Sequence, residues 1–322
     1  MARTASAHGG GSRPSRRRVV ASAIGTVVVL LAASVVPVAA DAPAGHAAWG
    51  APTAVVEVNS AAHDGCPIES PNGKELFIAS TRAGGFGKND IWVAERPNLA
   101  TAWGPMVNLG STINTADHEY CPTPLGGGWL LFVSDRMACG ATPNQTPPVG
   151  DIYLTRQLGR GMWSTPQHLG CVGSGGPNFT GGEFGPSLVM VRGEAYLYFS
   201  STVGGDHDIY RSRLSPGRGF GTPENVAELN QAGFVDQMPN VSADGTEIVF
   251  ASNRGGNMDI WTATVDQSTG EWSTPVPVTA VNTSAPETRP SFSGDGTRLY
   301  FGRGDLNVTG HPADIYVSTR AH

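Results

Sequence analysis

The segments His63-Asp64-Gly65-Cys66-Pro67 and His118-Glu119-Tyr120-Cys121-Pro122 each place an imidazole, a carboxylate and a thiol within four residues. Two chemistries fit these residue types. His63, Cys66, His118 and Cys121 together form a two-His, two-Cys set of the kind that binds Zn²⁺ tetrahedrally, with Asp64 and Glu119 behind the imidazoles. Alternatively, Cys66 and Cys121 pair as a disulfide, with Cys139 and Cys171 as a second bridge. Four cysteines allow three connectivities, and spacing does not choose among them.

The carboxylates of these segments belong to a longer series. Aligning on Pro67, Pro122, Pro186, Pro239 and Pro290 places an acid three residues earlier every time: Asp64, Glu119, Glu183, Asp236 and Glu287. An asparagine stands five residues before four of these acids (Asn59, Asn114, Asn178 and Asn282) and six before the other (Asn230). If the strands that carry the acids line a central axis, the acids form a ring at one mouth of a channel. Such a ring suits Ca²⁺, which prefers oxygen ligands, or a cationic or polyhydroxylated ligand. It also offers Glu119 and Glu183 as an axial pair for glycoside hydrolysis. The competing reading is architectural: a carboxylate repeated in every unit accepts hydrogen bonds from its own connecting loop. No Gly-x-Ser-x-Gly elbow occurs, and His118-Glu119 lacks the second histidine of a zinc-protease helix. The histidines and cysteines break the repeat. Elsewhere the residue before the acid is Gly182, Val235 or Pro286, and the residue before the proline is Gly185, Met238 or Arg289. The acids together with His63 and His118 are therefore the expected contact surface.

The elements that must position these residues are read from a second repeat. Asp-Ile-aromatic occurs at Asp90, Asp151, Asp208, Asp259 and Asp314, at spacings of 61, 57, 51 and 55 residues. Its aspartate reads as a turn or strand cap, paired with Arg82, Arg136 or Arg254. Before each copy lies a short apolar run (ELFIAS, WLLFVS, YLYFSS, EIVFAS and RLYFGR) whose length and β-branched or aromatic content suit a strand. Asn72-Gly73, Asp244-Gly245 and Asp295-Gly296 supply hairpin turns before these runs. An aromatic-proline segment follows most copies, as at Trp163 to Pro166 and Trp272 to Pro275. One unit is thus four short antiparallel strands in roughly 55 residues, a length typical of a propeller blade.

The fifth unit ends without its aromatic-proline strand, and the missing piece stands at the other end. WGAPTAVVEVN, residues 49–59, matches WSTPVPVTAVN, residues 272–282. The expected fold is therefore a five-bladed β-propeller of four-stranded antiparallel blades, closed by the N-terminal strand completing the last blade. SADGTEIVFASNRGGNMDIW, residues 242–261, resembles the TolB-type repeat, also called the PD40 or WD40-like propeller repeat. The resemblance runs from Trp49 to Arg320. It implies a platform that binds a protein, glycan or small ligand, and it assigns no particular function.

Bulk properties narrow the partners. Arg16-Arg17-Arg18, the apolar run 19–36 and Val38-Ala39-Ala40 read as an export signal over residues 1–40, followed by a linker 41–48 and a single domain 49–322. The same run is near the length of an uncleaved membrane anchor, and the paired arginines resemble a twin-arginine signal. Removing residues 1–40 takes away five arginines and no acid, moving the formal net charge from −6 to −11. Only Lys74 and Lys88 carry ammonium groups, which argues against nucleic acid and anionic lipid as partners. The expected product is an exported, non-catalytic monomer with disulfides and no cofactor, Ca²⁺ or Zn²⁺ being the alternatives. The competing expectation is a carbohydrate-active hydrolase. Arg303-Gly304-Asp305 reads as a loop turn and not as an adhesion motif.

Overall fold

Alternating turn signals and short apolar runs give strands here, and the strands assemble into five sheets arranged as a ring. The computed structural model describes residues 47–136, 139, 150–304 and 313–321. The expected export signal over residues 1–40, residues 41–46 of the expected linker, the middle of the blade-two insertion and Asp305 lie outside these residues. Blade one pairs Asp64–Glu69, Glu75–Ser80, Asp90–Glu95 and Val107–Asn108 in that order. Blade two uses Glu119–Leu125, Trp129–Ser134, Asp151–Gly159 and Gln167–His168. Blade three uses Glu183–Val191, Glu194–Ser201 and Asp208–Ser215, with two short edge pieces, and blade four uses Asp236–Val241, Glu247–Ser252, Asp259–Thr264 and Val276–Pro277. Blade five takes Glu287–Phe292, Arg298–Arg303 and Asp314–Thr319, and Thr53–Ala54 completes it. Thr53 pairs with Val317 and Ala54 with Tyr316, so the ring closes as the matching end segments predict.

The second strand of each blade is buried on both faces because blades stack face to face. Phe77 and Ile91 of blade one pack against Leu130 and Phe132 of blade two, and Val249 and Ile260 of blade four pack against Leu299 and Phe301 of blade five. That double burial is why these strands read as continuous apolar runs and not as alternating ones. Asn72-Gly73, Asp244-Gly245 and Asp295-Gly296 make the predicted turns, with φ of 71°, 72° and 68° at their glycines.

The asparagines join neighbouring blades. The N–H of Ile315, Ile91, Ile152, Ile209 and Ile260 donates to Oδ1 of Asn59, Asn114, Asn178, Asn230 and Asn282 respectively, at 2.7–2.9 Å. In return the asparagine Nδ2 donates to the same isoleucine carbonyl. A side-chain amide thus continues the ladder of the preceding blade, which explains both the asparagine and its register with Asp-Ile-aromatic.

The inner strands open at the acids, three residues before the aligned prolines. Each proline sits at a β-bulge, where register slips between residue pairs such as Gly65/Ile68 and Tyr120/Thr123. A bulge accommodates proline because its missing N–H removes no ladder bond.

Candidate functional site

The five acids do not face the axial channel. Asp64, Glu119, Glu183, Asp236 and Glu287 are fully buried, and none lines the axial cavity. Each is the hub of its own blade. Glu119 accepts the Thr115 N–H (2.6 Å), the Thr115 hydroxyl (2.8 Å) and the Ser134 hydroxyl (2.7 Å), and Arg136 lies 3.3 Å away. Asp64 does the same with Ser60, Ser80 and Arg82. Arg254 serves Asp236, and Arg303 serves Glu287. These arginines therefore pair with the blade acids and not with Asp-Ile-aromatic. Asp90 instead accepts the N–H groups of Phe86 and Gly87 and the Asn108 amide. A carboxylate already holding two to four donors has little left for Ca²⁺, whose sites need six to eight oxygens.

Glu183 departs from the pattern. It accepts the Phe179 N–H and the Ser201 hydroxyl, but Val203 occupies the place of Arg82, Arg136 and Arg254. Its Oε2 and the Oδ1 of Asp151 are both buried without a partner. Burial and then the neighbouring Asp151 push the Glu183 carboxyl far above the usual carboxylate range.

What lines the axis is the bulge residue itself. Cys66, Cys121, Gly185, Met238 and Arg289 sit immediately before the five prolines, with φ of 50°, 47°, 58°, 57° and 55°. They close around a narrow cavity of about 30 Å³ whose lining contains no carboxylate. Glycine is the residue for this left-handed setting, and each of the other four stores roughly 1–3 kcal/mol of backbone strain. A Cβ on Gly185 would come within 2.6 Å of the Met238 backbone, so blade three has no room for a side chain. Backbone N–H groups point along the ring: that of Cys121 donates to Cys66 Sγ at 3.0 Å. The Cys66 and Cys121 sulfurs are 3.2 Å apart as free thiols, and burial pushes the Cys121 thiol up to about 12. Arg289 Nη1 donates to Cys121 Sγ at 2.8 Å.

The mouth lies at the end where inner strands begin. Register places Asp64 beside Ser80 and Ser80 beside Asp90, so the residues just outside these positions share one rim. On blades one to three that rim carries His63, His118, Asp135 and His207, with Tyr120 and Phe184 just inside. Tyr120 and Phe184 rings lie 5.8 Å apart, and Phe184 packs on His207 at 4.7 Å. The Tyr120 hydroxyl donates to Asp135 at 3.3 Å, and burial raises the Asp135 carboxyl to about 6. Burial, followed by the nearby Lys88 charge, lowers the His118 pKa, and burial lowers that of His207. His63 Nδ1 accepts the Ala313 N–H at 3.3 Å. Gly150 makes room for this cluster, since a Cβ there would lie 2.3 Å from the Tyr120 hydroxyl. Tyr120, Asp135, Phe184, His207 and Arg289 were not singled out in the sequence as site residues. Their only signal is departure from the other blades at equivalent positions.

His63, Cys66, His118 and Cys121 are not brought together as a zinc set, because the histidines stand on the rim and the cysteines turn into the channel. Among the described residues the clustered group is Cys139, Asp151, His168 and Cys171, whose ligand atoms lie within 4.8 Å of one another. It holds no vacancy for a metal. Cys139 and Cys171 are joined as a disulfide, Cα to Cα 5.6 Å, as one of the expected pairings has it. His168 Nδ1 accepts the Gly170 N–H at 3.1 Å, so its proton is on Nε2, which bonds Asp151.

No family model and no curated protein matches the chain. Solved structures do. An α-L-arabinofuranosidase catalytic domain from Coprinopsis cinerea aligns at a TM-score of 0.57 with 14% identity, over 86% of this chain and 98% of that one. The arabinofuranosidase of Podospora anserina in complex with cellotriose aligns at 0.56 with 13% identity, over the same shares. TolB from Acinetobacter baumannii aligns at 0.43 with 16% identity, over 79% of this chain and 51% of that one. At these identities the likeness is one of fold: the chain is a five-bladed β-propeller.

Proposed function

We propose that the chain is an exported, non-catalytic propeller that binds a protein, glycan or small ligand at the channel mouth over blades one to three. The observation that carries this reading is the position of the carboxylates. A glycosidase needs two carboxyl groups that reach the sugar, whereas Glu119 and Glu183 are fully buried and engaged inside their blades. The asymmetric rim of His118 and His207, with Phe184 packed on His207 and the buried Tyr120 behind it, is the surface left for a ligand, since aromatic rings with polar edges suit recognition. The Cys139–Cys171 disulfide agrees with an oxidising destination.

The test is an immobilised-ligand panel of oligosaccharides and peptides, run with the wild type and with His118→Ala and Phe184→Ala. Saturable binding that weakens at least fivefold in both variants is expected. The likeness to α-L-arabinofuranosidases makes an α-L-arabinofuranoside the substrate for the opposing arm. Sugar release that disappears in Glu119→Gln, with its circular dichroism unchanged, would replace this reading by a hydrolase.

A further inference from the structure

The buried arginines of the blades face carboxylates. Arg82, Arg136, Arg254 and Arg303 meet the blade acids, and Arg96 meets Glu69. Arg289 is the exception: among the described residues no carboxylate lies within ion-pair reach of it. Burial pushes its pKa down to about 10, yet the residue keeps part of its surface open to the axial cavity. Nη1 reaches across the axis from blade five to Cys121 of blade two at 2.8 Å. The guanidinium carbon stands 5.6 Å from the Tyr120 ring centroid. Nε and Nη2 have no acceptor among the described residues. The thiol beside it does not supply the missing charge, because burial keeps Cys121 protonated. An unbalanced cation, held in a left-handed setting that disfavours a long side chain, is an arrangement that a counter-charge would relieve.

We propose that the axial channel is an anion site, in which Arg289 receives one carboxylate group of a small ligand entering from the mouth. This rests on reading the mouth as the ligand entrance, and it gives the ligand its charge. Two free donors in one plane match a planar carboxylate. A phosphate dianion would need more donors than a single guanidinium and two thiols provide. The sign is opposite to that of the acids first considered as a ligand ring.

The experiment titrates the exported protein with sodium formate at constant ionic strength, balanced with sodium chloride, and follows thermal unfolding and heat of binding. Saturable binding with a rise in Tm of several degrees is expected, with phosphate giving at most a tenth of the affinity. Arg289→Gly installs the residue that blade three carries at this position, suits the left-handed φ, and should fold at least as stably while losing the formate response. Arg289→Lys keeps the charge without the fork and should bind at least fivefold more weakly. No saturable response in the wild type, or an equal one in Arg289→Gly, overturns the proposal. Formate binding by a protein that binds nothing in the ligand panel would count against the mouth reading alone. Panel ligands held equally by wild type and Arg289→Gly would count against the anion site alone.

Discussion

Glu183 holds its proton well above the usual carboxylate range, because it is buried beside Asp151 with Val203 where the other blades place a guanidinium. The sign of its effect on stability follows. A carboxyl whose folded pKa is raised holds its proton longer in the native state than in the unfolded chain. Its favourable contribution is complete below the unfolded value, near about 4.3, and is lost as pH rises toward the raised folded value. Wild-type stability should therefore decline from pH 5 to pH 8 with a slope of at most about 1.4 kcal/mol per pH unit from this group. Glu183→Gln, which needs no proton, should flatten that slope in urea unfolding series. Equal slopes for the two proteins would mean that Glu183 is ionised. The five acids were legible in the sequence as a repeating pattern, but the direction in which they point was not. A one-residue slip exchanges the two faces of a strand, and the bulge after each acid turns the next side chain but one to the axis. Cysteine, cysteine, glycine, methionine and arginine share no property that would announce a common left-handed position, so Arg289 gave no advance signal.

At the scale of the strand, the asparagine before each inner strand does the work of a short ladder between blades. Asn114 exchanges two hydrogen bonds with Ile91 and reaches Asn108 as well, at 2.8 Å. Asn114→Ala leaves the buried Ile91 N–H and carbonyl without partners, and should destabilise the fold by about 2–3 kcal/mol. The urea midpoint measures this, and a loss under about 0.5 kcal/mol would mean that water takes over the role. Strand order, blade count and turns were readable because each rests on local signals that recur: a Gly turn, an apolar run, an Asp-Ile-aromatic. The bulge left no such mark beyond its proline, and proline alone reads equally well as the start of a strand. Cys139 in the blade-two insertion and Cys171 in the link to blade three form one of the expected pairings, but their spacing alone did not choose it.

For the whole molecule, closure depends on two residues from the start of the domain. Thr53–Ala54 is the outer strand of blade five, Gly50 N–H donates to the Thr319 carbonyl at 2.8 Å, and Trp49 stacks on Phe292 with centroids 6.1 Å apart. Arg320 packs over Trp49 as well, its guanidinium carbon 4.3 Å from the ring centroid. A chain beginning at residue 60 should lose both this edge and the Asn59–Ile315 link, and should unfold at least 10 °C lower in calorimetry, corresponding to about 5 kcal/mol for a domain of this size. An unchanged Tm would mean that the ring is held by face packing alone. The matching ends made this closure legible from residues 49–59 and 272–282. The same arrangement also sets the order of events during folding. The segment that is made first finds its partner only when the last strand has appeared, a contact spanning nearly the whole sequence, and such distant pairings slow folding. Until then blade five presents a bare edge, so the interval between the emergence of Trp49 and that of Thr319 is when this protein is most exposed to pairing with the wrong neighbour.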